Sequence, residues 1–139
     1  MIKEVYKLTK TVKEKYDIGD IVFVNEYSYE NSATGYNHLF VVINDDNEVV
    51  PLDYFGLIVS SRIEKSKEVS QFKYNEPIKA NDVNGLSADS IVKCDQLYNF
   101  PKTNIQFRIG RVDIEDFLRF TKTYSEFLEE VAEKEESMQ

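Results

Sequence analysis

The sequence predicts a mainly β domain with some α-helix: a small, strongly bent antiparallel sheet or barrel on which a terminal helix packs. Several apolar runs have the length of strands and are separated by turn-forming residues. One long amphipathic stretch follows them. The 139 residues, 42% of them hydrophobic, are enough for a single domain with a buried core.

An amphipathic helix is predicted before the first strand. Apolar residues recur there at the spacing of one helix face: Ile2, Val5, Leu8 and Val12. Lysines lie between them and make the outer face basic. We therefore divide the chain into an N-terminal helix (1–17), a barrel domain with its terminal helix (18–135) and an acidic tail (136–139).

Strands are predicted after Gly19-Asp20. Runs rich in β-branched and aromatic residues occupy 21–24, 39–43, 48–50, 55–60 and 91–95, with a weaker alternation at 69–74. Asp45-Asp46-Asn47 is expected to turn a hairpin, and Asn84-Gly85 marks a further turn. The Ser-, Asn- and Tyr-rich segment 27–35 is expected to be a loop.

In the last predicted strand, Val92, Cys94 and Gln96 alternate away from Lys93 and Asp95. We expect Cys94 to be a core residue rather than a nucleophile, because its neighbours are apolar. Asp113 is a good N-cap for the terminal helix, and an apolar stripe continues from it to Val131, about five turns. The acidic segment 129–136 is expected to fray.

Charge and composition exclude several classes of protein. The formal charge is −8, and residues 16–55 contain no Lys or Arg, so a general nucleic-acid binder is disfavoured. One cysteine and one histidine cannot build a Cys/His metal cage, and we expect neither a metal nor a cofactor. No apolar run has the length of a membrane span and no secretory signal is recognisable, so we expect a cytoplasmic protein without membrane contact.

Four stretches, in this order and spacing, resemble the MazF/PemK toxins of prokaryotic toxin–antitoxin systems over roughly residues 19–118. Gly19-Asp20-Ile21-Val22-Phe23-Val24 is similar to the opening strand of that family, and Gly35 through Asn44-Asp45 to its second strand. Val59-Ser60-Ser61-Arg62-Ile63 is similar to an "I-T-S-K-I" stretch. Val92-Lys93-Cys94-Asp95-Gln96 and Arg108-Ile109-Gly110-Arg111 are similar to "V-R-C-D-Q" and "K-I-G-R-L".

The resemblance implies an SH3-like barrel with a C-terminal helix, usually a homodimer, that cleaves single-stranded RNA without a metal ion and binds a cognate antitoxin. In such cleavage the ribose 2′-OH attacks the adjacent phosphate, which requires a proton acceptor, donors for the phosphate oxygens and an acid for the leaving oxygen. By motif position, Ser60 matches the family's hydroxyl residue and Asp95 its acidic residue. Lys93 stands where a flanking Arg is usual.

The sequence departs from the family at one catalytic position. The usual "G-x-R-P" reads Gly35-Tyr36-Asn37-His38, so Asn37 replaces the catalytic Arg. An amide donates hydrogen bonds to a phosphate but does not neutralise it. His38 is the one side chain with an ordinary pKa near neutrality and is our replacement candidate.

Two sets of residues make up the expected site, with segment 28–36 as its lid. The catalytic candidates are Asp95, His38, Ser60 and Lys93. The substrate-binding candidates are Asn37, Tyr36, Ser61, Arg62, Arg108 and Arg111. Structural roles stay open for all of them: a surface histidine, a Lys93–Asp95 ion pair, strand-end serines that cap the chain, and tyrosines that pack the loop.

Three functions remain open from the sequence. The first is an endoribonuclease toxin whose partners are single-stranded RNA, an antitoxin and a second copy of the chain. The alternative is a catalytically inactive family member that binds a protein or RNA as a regulatory module. A plain SH3-like adaptor is a third and is disfavoured, because the Lys93-Cys94-Asp95-Gln96 stretch would then be coincidence.

Overall fold

Six antiparallel strands and one long helix account for most of the computed structural model, which describes residues 15–29, 34–61 and 73–137. The strands are β1 (Asp20–Tyr29), β2 (Thr34–Asp45), β3 (Asp53–Ser60), β4 (Asn75–Ile78), β5 (Ser90–Pro101) and β6 (Ile105–Arg111). A short 3-10 turn (Lys102–Asn104) joins β5 to β6, and helix α1 (Ile114–Ser137) follows. The predicted mainly β architecture with a terminal helix is confirmed.

The strands form one sheet in the order β4-β5-β3-β2-β1-β6. The end of β5 also pairs with the end of β1, where Ser28 lies opposite Asn99 and Tyr29 opposite Tyr98. Four strands, β1, β2, β3 and β5, are thereby linked in a closed circuit of pairs. The sheet is therefore strongly bent, so that β5 reaches back to β1.

Apolar side chains are buried on both faces of the bent sheet. On one face, the helix-side core contains Ile21, Val41, Leu57, Val59, Ile78, Leu86, Val92, Cys94, Val112 and Phe120. The second core contains Tyr16, Val22, Val24, Phe40, Val42, Tyr54, Ile58, Phe100 and Ile105. Neighbouring residues of one strand, such as Ile21 and Val22, enter different cores, which explains why these strands read as unbroken apolar runs.

The β1–β2 connection is shorter than the predicted loop at 27–35, and that prediction is corrected. β1 and β2 stay paired as far as Ser28 opposite Thr34, and the lid expected at 28–36 is strand at both of its ends. Gly35 allows this pairing, since a Cβ there would lie 2.4 Å from the Tyr27 ring. Cross-strand partners have overridden a polar composition that is typical of loops.

Residues 48–50, predicted as a return strand, lie in a loop, so this prediction was wrong. The Asp46 carboxylate accepts backbone N–H groups of Glu48, Leu52 and Asp53 at 3.0–3.1 Å. These hydrogen bonds lower the pKa of Asp46, the one from Glu48 most strongly. They hold the chain in a turn until β3 begins at Asp53, and Val49 is left 90% exposed.

Helix α1 packs over β5 and β4. The Asp113 carboxylate accepts the Asp116 N–H at 2.8 Å, which confirms the predicted N-cap. Arg119 donates to Glu76 of β4 at 2.9 Å and to Asp116 at 2.8 Å, and Phe120 is buried beneath it. The acidic segment expected to fray is helical to Ser137, longer than the apolar stripe indicated.

Two predicted elements fall outside the described residues. Of the N-terminal helix (1–17), only Lys15, Tyr16 and Asp17 are described, and Tyr16 is buried against Tyr54. Most of the weak strand at 69–74 is also outside, and Lys73 and Tyr74 form a turn that leads into β4. Within the described ranges, no helix is long and apolar enough to cross a membrane.

Candidate functional site

A groove of about 440 Å³ opens where β1, β2, β3 and β6 meet the segment that precedes β5. Three of its lining residues are predicted site residues: Asn37, His38 and Ser61. The other lining residues are Phe23, Leu39, Val59, Gly85, Ser87, Phe107 and Ile109. Polar groups from two distant parts of the chain thus meet over an apolar floor.

The floor of the groove is built by register partners on β1 and β6. Phe23 lies opposite Phe107, and their rings stack at 5.2 Å with an interplanar angle of 9°. The Leu39 and Val59 side chains continue the floor from β2 and β3, which are paired at these two residues. An aromatic pair beside aliphatic side chains suits the flat face of an unpaired base.

One wall of the groove is held by the Asn84 side chain, which is buried. Its Oδ1 accepts N–H groups from Asn81 and Leu86 at 3.1 and 3.0 Å, and its Nδ2 donates to the Lys79 carbonyl at 2.8 Å. These bonds close a compact turn that presents Gly85 and Ser87 to the groove.

The same turn is pressed against β6. A Cβ on Gly85, whose φ is +72°, would lie 2.1 Å from the Ile109 carbonyl oxygen. A Cβ on Gly110 would lie 2.4 Å from the Asn84 backbone. Glycine is required at both positions because backbone meets backbone there, and the predicted Asn84-Gly85 turn is confirmed.

On the opposite wall, Asn37 and His38 come from the first half of β2. Asn37 has a φ of 57°, in the left-handed region that Asn tolerates better than most residues. His38 lies opposite Val24 of β1 and meets the Tyr27 ring edge-on at 6.3 Å. Its imidazole is therefore in contact with the aromatic residues Tyr27 and Phe40, and His38 is at the same time a lining residue of the groove.

The two adjacent serines differ in their positions. Ser61 lines the groove, whereas Ser60 is paired with Ile91 inside the β3–β5 ladder and does not line it. Ser60 is the last residue of β3, whereas Ser61 follows the strand and is exposed, so the two neighbouring hydroxyls have different surroundings. The structure favours Ser61 as the hydroxyl of the site.

Lys93 and Asp95 lie on β5 away from the groove lining. Lys93 is opposite Asn75 of β4, and no Lys93–Asp95 ion pair is formed among the described residues. Two tyrosine rings lie between Asp95 and His38. The Asp95 charge contributes to the raised pKa of Tyr98, which contacts Tyr27, which contacts His38.

Cys94 is fully buried in the helix-side core, as predicted. Burial, with smaller contributions from Glu76 and Asp95, raises the pKa of its thiol to about 12. The thiolate form is therefore disfavoured near neutral pH, which agrees with a packing role.

None of the predicted cationic residues that the structure describes lines the groove. Arg108 donates from Nε to the buried Asp20 carboxylate at 2.9 Å, so this guanidinium is engaged within the fold. Arg111 is exposed opposite Asp20, and Arg62 lies outside the described residues. Among the residues that the structure describes, the groove lining contains no Lys, Arg, Asp or Glu.

Tyr36 is 63% exposed beside Asn37 and offers a ring to solvent. Tyr27 and Tyr29 instead pack against Tyr98, which is the structural role left open by the sequence. Across the described ranges, no three His, Cys, Asp or Glu side chains come together as a metal site.

Sequence reasoning missed Phe23, Phe107 and Ser87. Phe23 lies within an apolar run of strand length and is therefore expected to be a core residue. Phe107 is one of nine Phe residues in the sequence, and no motif surrounds it. β1 and β6, the first and last strands along the chain, are paired in the sheet, and this pairing brings Phe23 and Phe107 together. The signal that could have indicated this groove was Gly110. It lies in a stretch that resembles the family, and a glycine there allows the turn at Asn84 to approach β6.

Comparisons with known proteins agree with the architecture. A family model described as "PemK-like, MazF-like toxin of type II toxin-antitoxin system" matches residues 17–128. A crystal structure described as that of an "Mtb toxin" aligns with a TM-score of 0.51 and 16% identity, covering 74% of this chain and 99% of that one. No curated protein matches the sequence significantly.

Proposed function

Because this chain belongs to the PemK-like, MazF-like toxins of type II toxin–antitoxin systems, we propose that it is a metal-independent endoribonuclease that cleaves single-stranded RNA. The observation that supports this proposal is the groove in which Asn37, His38 and Ser61 meet over the stacked Phe23 and Phe107 rings. Donors, a titratable imidazole and a base-sized apolar floor are the parts that the reaction needs.

Each polar group has a role in this chemistry. The Asn37 amide and the Ser61 hydroxyl donate hydrogen bonds to the non-bridging phosphate oxygens. His38 accepts the proton of the ribose 2′-OH as O2′ bonds to phosphorus, and the imidazolium returns that proton to the 5′-oxygen as the P–O5′ bond breaks. The products are a 2′,3′-cyclic phosphate and a 5′-hydroxyl end.

The partners and setting follow the family. We infer an antitoxin that covers the groove in the neutralised complex, a homodimer, and action on cytoplasmic RNA. The part of the lining that the structure describes has an apolar floor and no Lys, Arg, Asp or Glu, and this favours an antitoxin that binds there through apolar contacts more than through charge. We also assign the sheet to the SH3-like barrels, which the closed circuit of β1, β2, β3 and β5 supports.

The proposal is tested by incubating the purified protein with a long single-stranded RNA in EDTA and mapping the new ends. We expect cleavage at a short sequence, with a loss of about 100-fold in rate for His38→Ala, the size of a lost general acid–base group. Loss of one neutral hydrogen-bond donor predicts a decrease of about tenfold for Ser61→Ala.

Neighbouring substitutions provide matched controls. Ser60→Ala is expected to lower the rate less than Ser61→Ala, and Asp95→Ala less than His38→Ala. Ser125→Ala, on the exposed surface of α1, controls for general effects of truncating a serine. Wild-type protein that neither cleaves any RNA tested nor slows growth when expressed without its antitoxin would refute the endoribonuclease proposal.

A second function is favoured by one observation: within the described ranges, no Lys or Arg lines the groove. A phosphate held by neutral donors alone is stabilised less than one beside a guanidinium, by about 1–2 kcal/mol. On this account the protein is a catalytically inactive family member that binds RNA or a protein. This account predicts that the protein binds RNA or the antitoxin but cleaves no RNA. His38→Ala would then change the binding affinity, and there would be no cleavage rate for it to change.

A further inference from the structure

Tyr27 of β1 places its aromatic ring beside His38 of β2, although the two residues are not register partners. Tyr27 lies opposite Gly35, whereas His38 lies opposite Val24. The Tyr27 ring nevertheless meets the imidazole edge-on, with 6.3 Å between the ring centroids and an interplanar angle of 87°. The tyrosine side chain therefore reaches along the hairpin, past its own partner, to the histidine.

Gly35 leaves the space that the Tyr27 ring occupies. A Cβ at position 35 would lie 2.4 Å from two carbons of the ring and 2.5 Å from the hydroxyl oxygen. The ring thus covers the Gly35 backbone, and any larger residue would push it aside. The φ of Gly35 is not positive, unlike those of Gly19 and Gly85, so the ring rather than the backbone angle requires glycine here.

Phe40 supports the same imidazole from a second direction. Its ring meets His38 at 6.4 Å with an interplanar angle of 65°, and it meets Tyr27 at 4.7 Å and 69°. Each of these three rings therefore has the other two as edge-on neighbours, an arrangement that aromatic pairs favour. Phe40 is fully buried, so one of the two supports of His38 belongs to the second core.

Both supporting rings are anchored on β5. Tyr98 meets Tyr27 at 5.3 Å and Phe40 at 5.4 Å, and Phe100 meets Phe40 at 5.0 Å. The Tyr98 hydroxyl donates to Gln96 Oε1 at 2.6 Å, which fixes Tyr98 in turn. A side chain whose supports are themselves held by packing and hydrogen bonds keeps one orientation.

One orientation is what a general acid–base group needs. The reacting oxygen must lie within about 2.6–3.2 Å of the imidazole nitrogen that exchanges the proton. An imidazole that turns about its own bonds directs that nitrogen elsewhere for part of the time, and small misplacements lower the rate strongly. His38 is only half-buried, so contacts on its protein side have to restrict it.

We propose that Tyr27 is a positioning residue for His38: its ring, seated in the space left by Gly35, fixes the direction of the imidazole against Phe40. The catalytic consequence rests on the proposed function, in which His38 exchanges the proton. Gly35 acts only through Tyr27, because it contributes the space and no side chain of its own.

Cleavage kinetics of the full-length protein test this role. Tyr27→Leu is expected to lower kcat about tenfold with little change in KM, because the phosphate donors Asn37 and Ser61 are untouched. Tyr27→Phe keeps the ring and is expected to stay within about twofold of the wild type. Tyr124→Leu, which truncates a half-buried tyrosine on α1, is the control and should leave kcat unchanged. Equal kcat values for Tyr27→Leu and the wild type would overturn the proposal.

A double-mutant cycle tests the link between Gly35 and Tyr27. Gly35→Ala is expected to lower kcat about as much as Tyr27→Leu, because the added methyl group pushes the ring away from His38. In the Tyr27→Leu background the same alanine should change kcat by less than about twofold. Losses that multiply in the double variant would show that Gly35 acts independently of Tyr27 and would contradict this account.

NMR of the imidazole provides a readout that needs no RNA. His38 is the only histidine in the sequence, so it gives a single set of imidazole C–H signals. Tyr27→Leu and Gly35→Ala are expected to move these signals, because both take the Tyr27 ring away, whereas Tyr124→Leu should not. A wild-type protein that cleaves no RNA would refute the proposed function, and the imidazole signals alone would then decide the positioning. Unchanged signals in Tyr27→Leu would overturn it.

Discussion

Asn37 combines a side-chain amide with a left-handed backbone at the position where the resemblance to the family leads us to expect an arginine. Its φ of 57° is tolerated by Asn, whose short polar side chain fits the left-handed region. A long cationic side chain at the same φ is strained by about 1–2 kcal/mol. The missing cation and the backbone conformation are therefore linked, and His38 beside it is the titratable group that remains on this wall.

Restoring the arginine tests this link at the level of one residue. Asn37→Arg is expected to lower the free energy of unfolding by about 1 kcal/mol because of its φ, and to raise RNA cleavage because a cation then faces the phosphate. Urea unfolding and cleavage rates in EDTA measure the two effects. Asn25→Arg, exposed on the facing strand β1, adds the same charge as a control.

The opposite result would be equally informative. If Asn37→Arg were as stable as the wild type and cleaved RNA no faster, neither the strain nor the missing cation would account for this position. Faster cleavage by Asn25→Arg as well would show that any added positive charge suffices.

At the scale of elements, the turn that contains Asn84 decides the shape of the groove. One buried amide satisfies three backbone groups, and two glycines let the turn touch β6. The Arg111 N–H also donates to the Val83 carbonyl, so the turn and β6 are joined as one unit. Gly85 and Ser87 owe their positions in the groove to this contact.

Removing the amide should loosen that wall. Asn84→Ala leaves buried backbone groups without partners, and we expect the free energy of unfolding to fall by about 2 kcal/mol. RNA affinity should fall with it, since Gly85 and Ser87 would no longer be held against the floor. Urea unfolding and RNA titration measure both quantities.

Asn44→Ala serves as the matched control, because its exposed side chain bonds only the next backbone N–H among the described contacts. We expect its stability to change by less than about 0.5 kcal/mol. A stable Asn84→Ala protein with unchanged RNA affinity would contradict the role given to this turn.

At the scale of the whole molecule, both faces of the bent sheet bury groups that ionise at high pH. Burial raises the pKa of Cys94 in the helix-side core to about 12 and that of Tyr98 at the edge of the second core to about 12. Burial also raises the pKa values of Tyr16, Tyr54 and Tyr27. In each case the fold stabilises the protonated form.

Stability should therefore fall in alkali. An unfolded thiol ionises near pH 9 while folded Cys94 stays protonated up to about pH 12, so its contribution is complete below pH 9 and is lost as the pH rises toward 12. One such group accounts for at most about 1.4 kcal/mol per pH unit. Urea unfolding between pH 8 and 11 measures the slope.

Cys94→Ala is expected to have a shallower slope than the wild type, because it has lost one of the titrating groups. Val92→Ala, a truncation in the same core without an ionisable group, is expected to keep the wild-type slope. Identical slopes for all three proteins would exclude Cys94 as a contributor.

Local sequence patterns were sufficient to predict much of the fold. The apolar runs at 21–24, 39–43 and 55–60 lie inside strands because their residues are buried on both faces. Asp113 caps the helix as its position predicted. The errors at 27–35 and 48–50 arose where partners distant in sequence, or a single carboxylate, outweighed local composition.

The sequence by itself determined the family and the kind of fold, since both are written in short-range spacing and in signatures that need no partner. Only the tertiary structure decided that Asn37, His38 and Ser61 share a groove while Ser60, Lys93 and Asp95 do not line it. The reason is physical: the groove is built by contacts between segments that lie far apart in the chain. Which face becomes a groove depends on the pairing of β1 with β6 and on a turn packed against it, and neither is local in the chain.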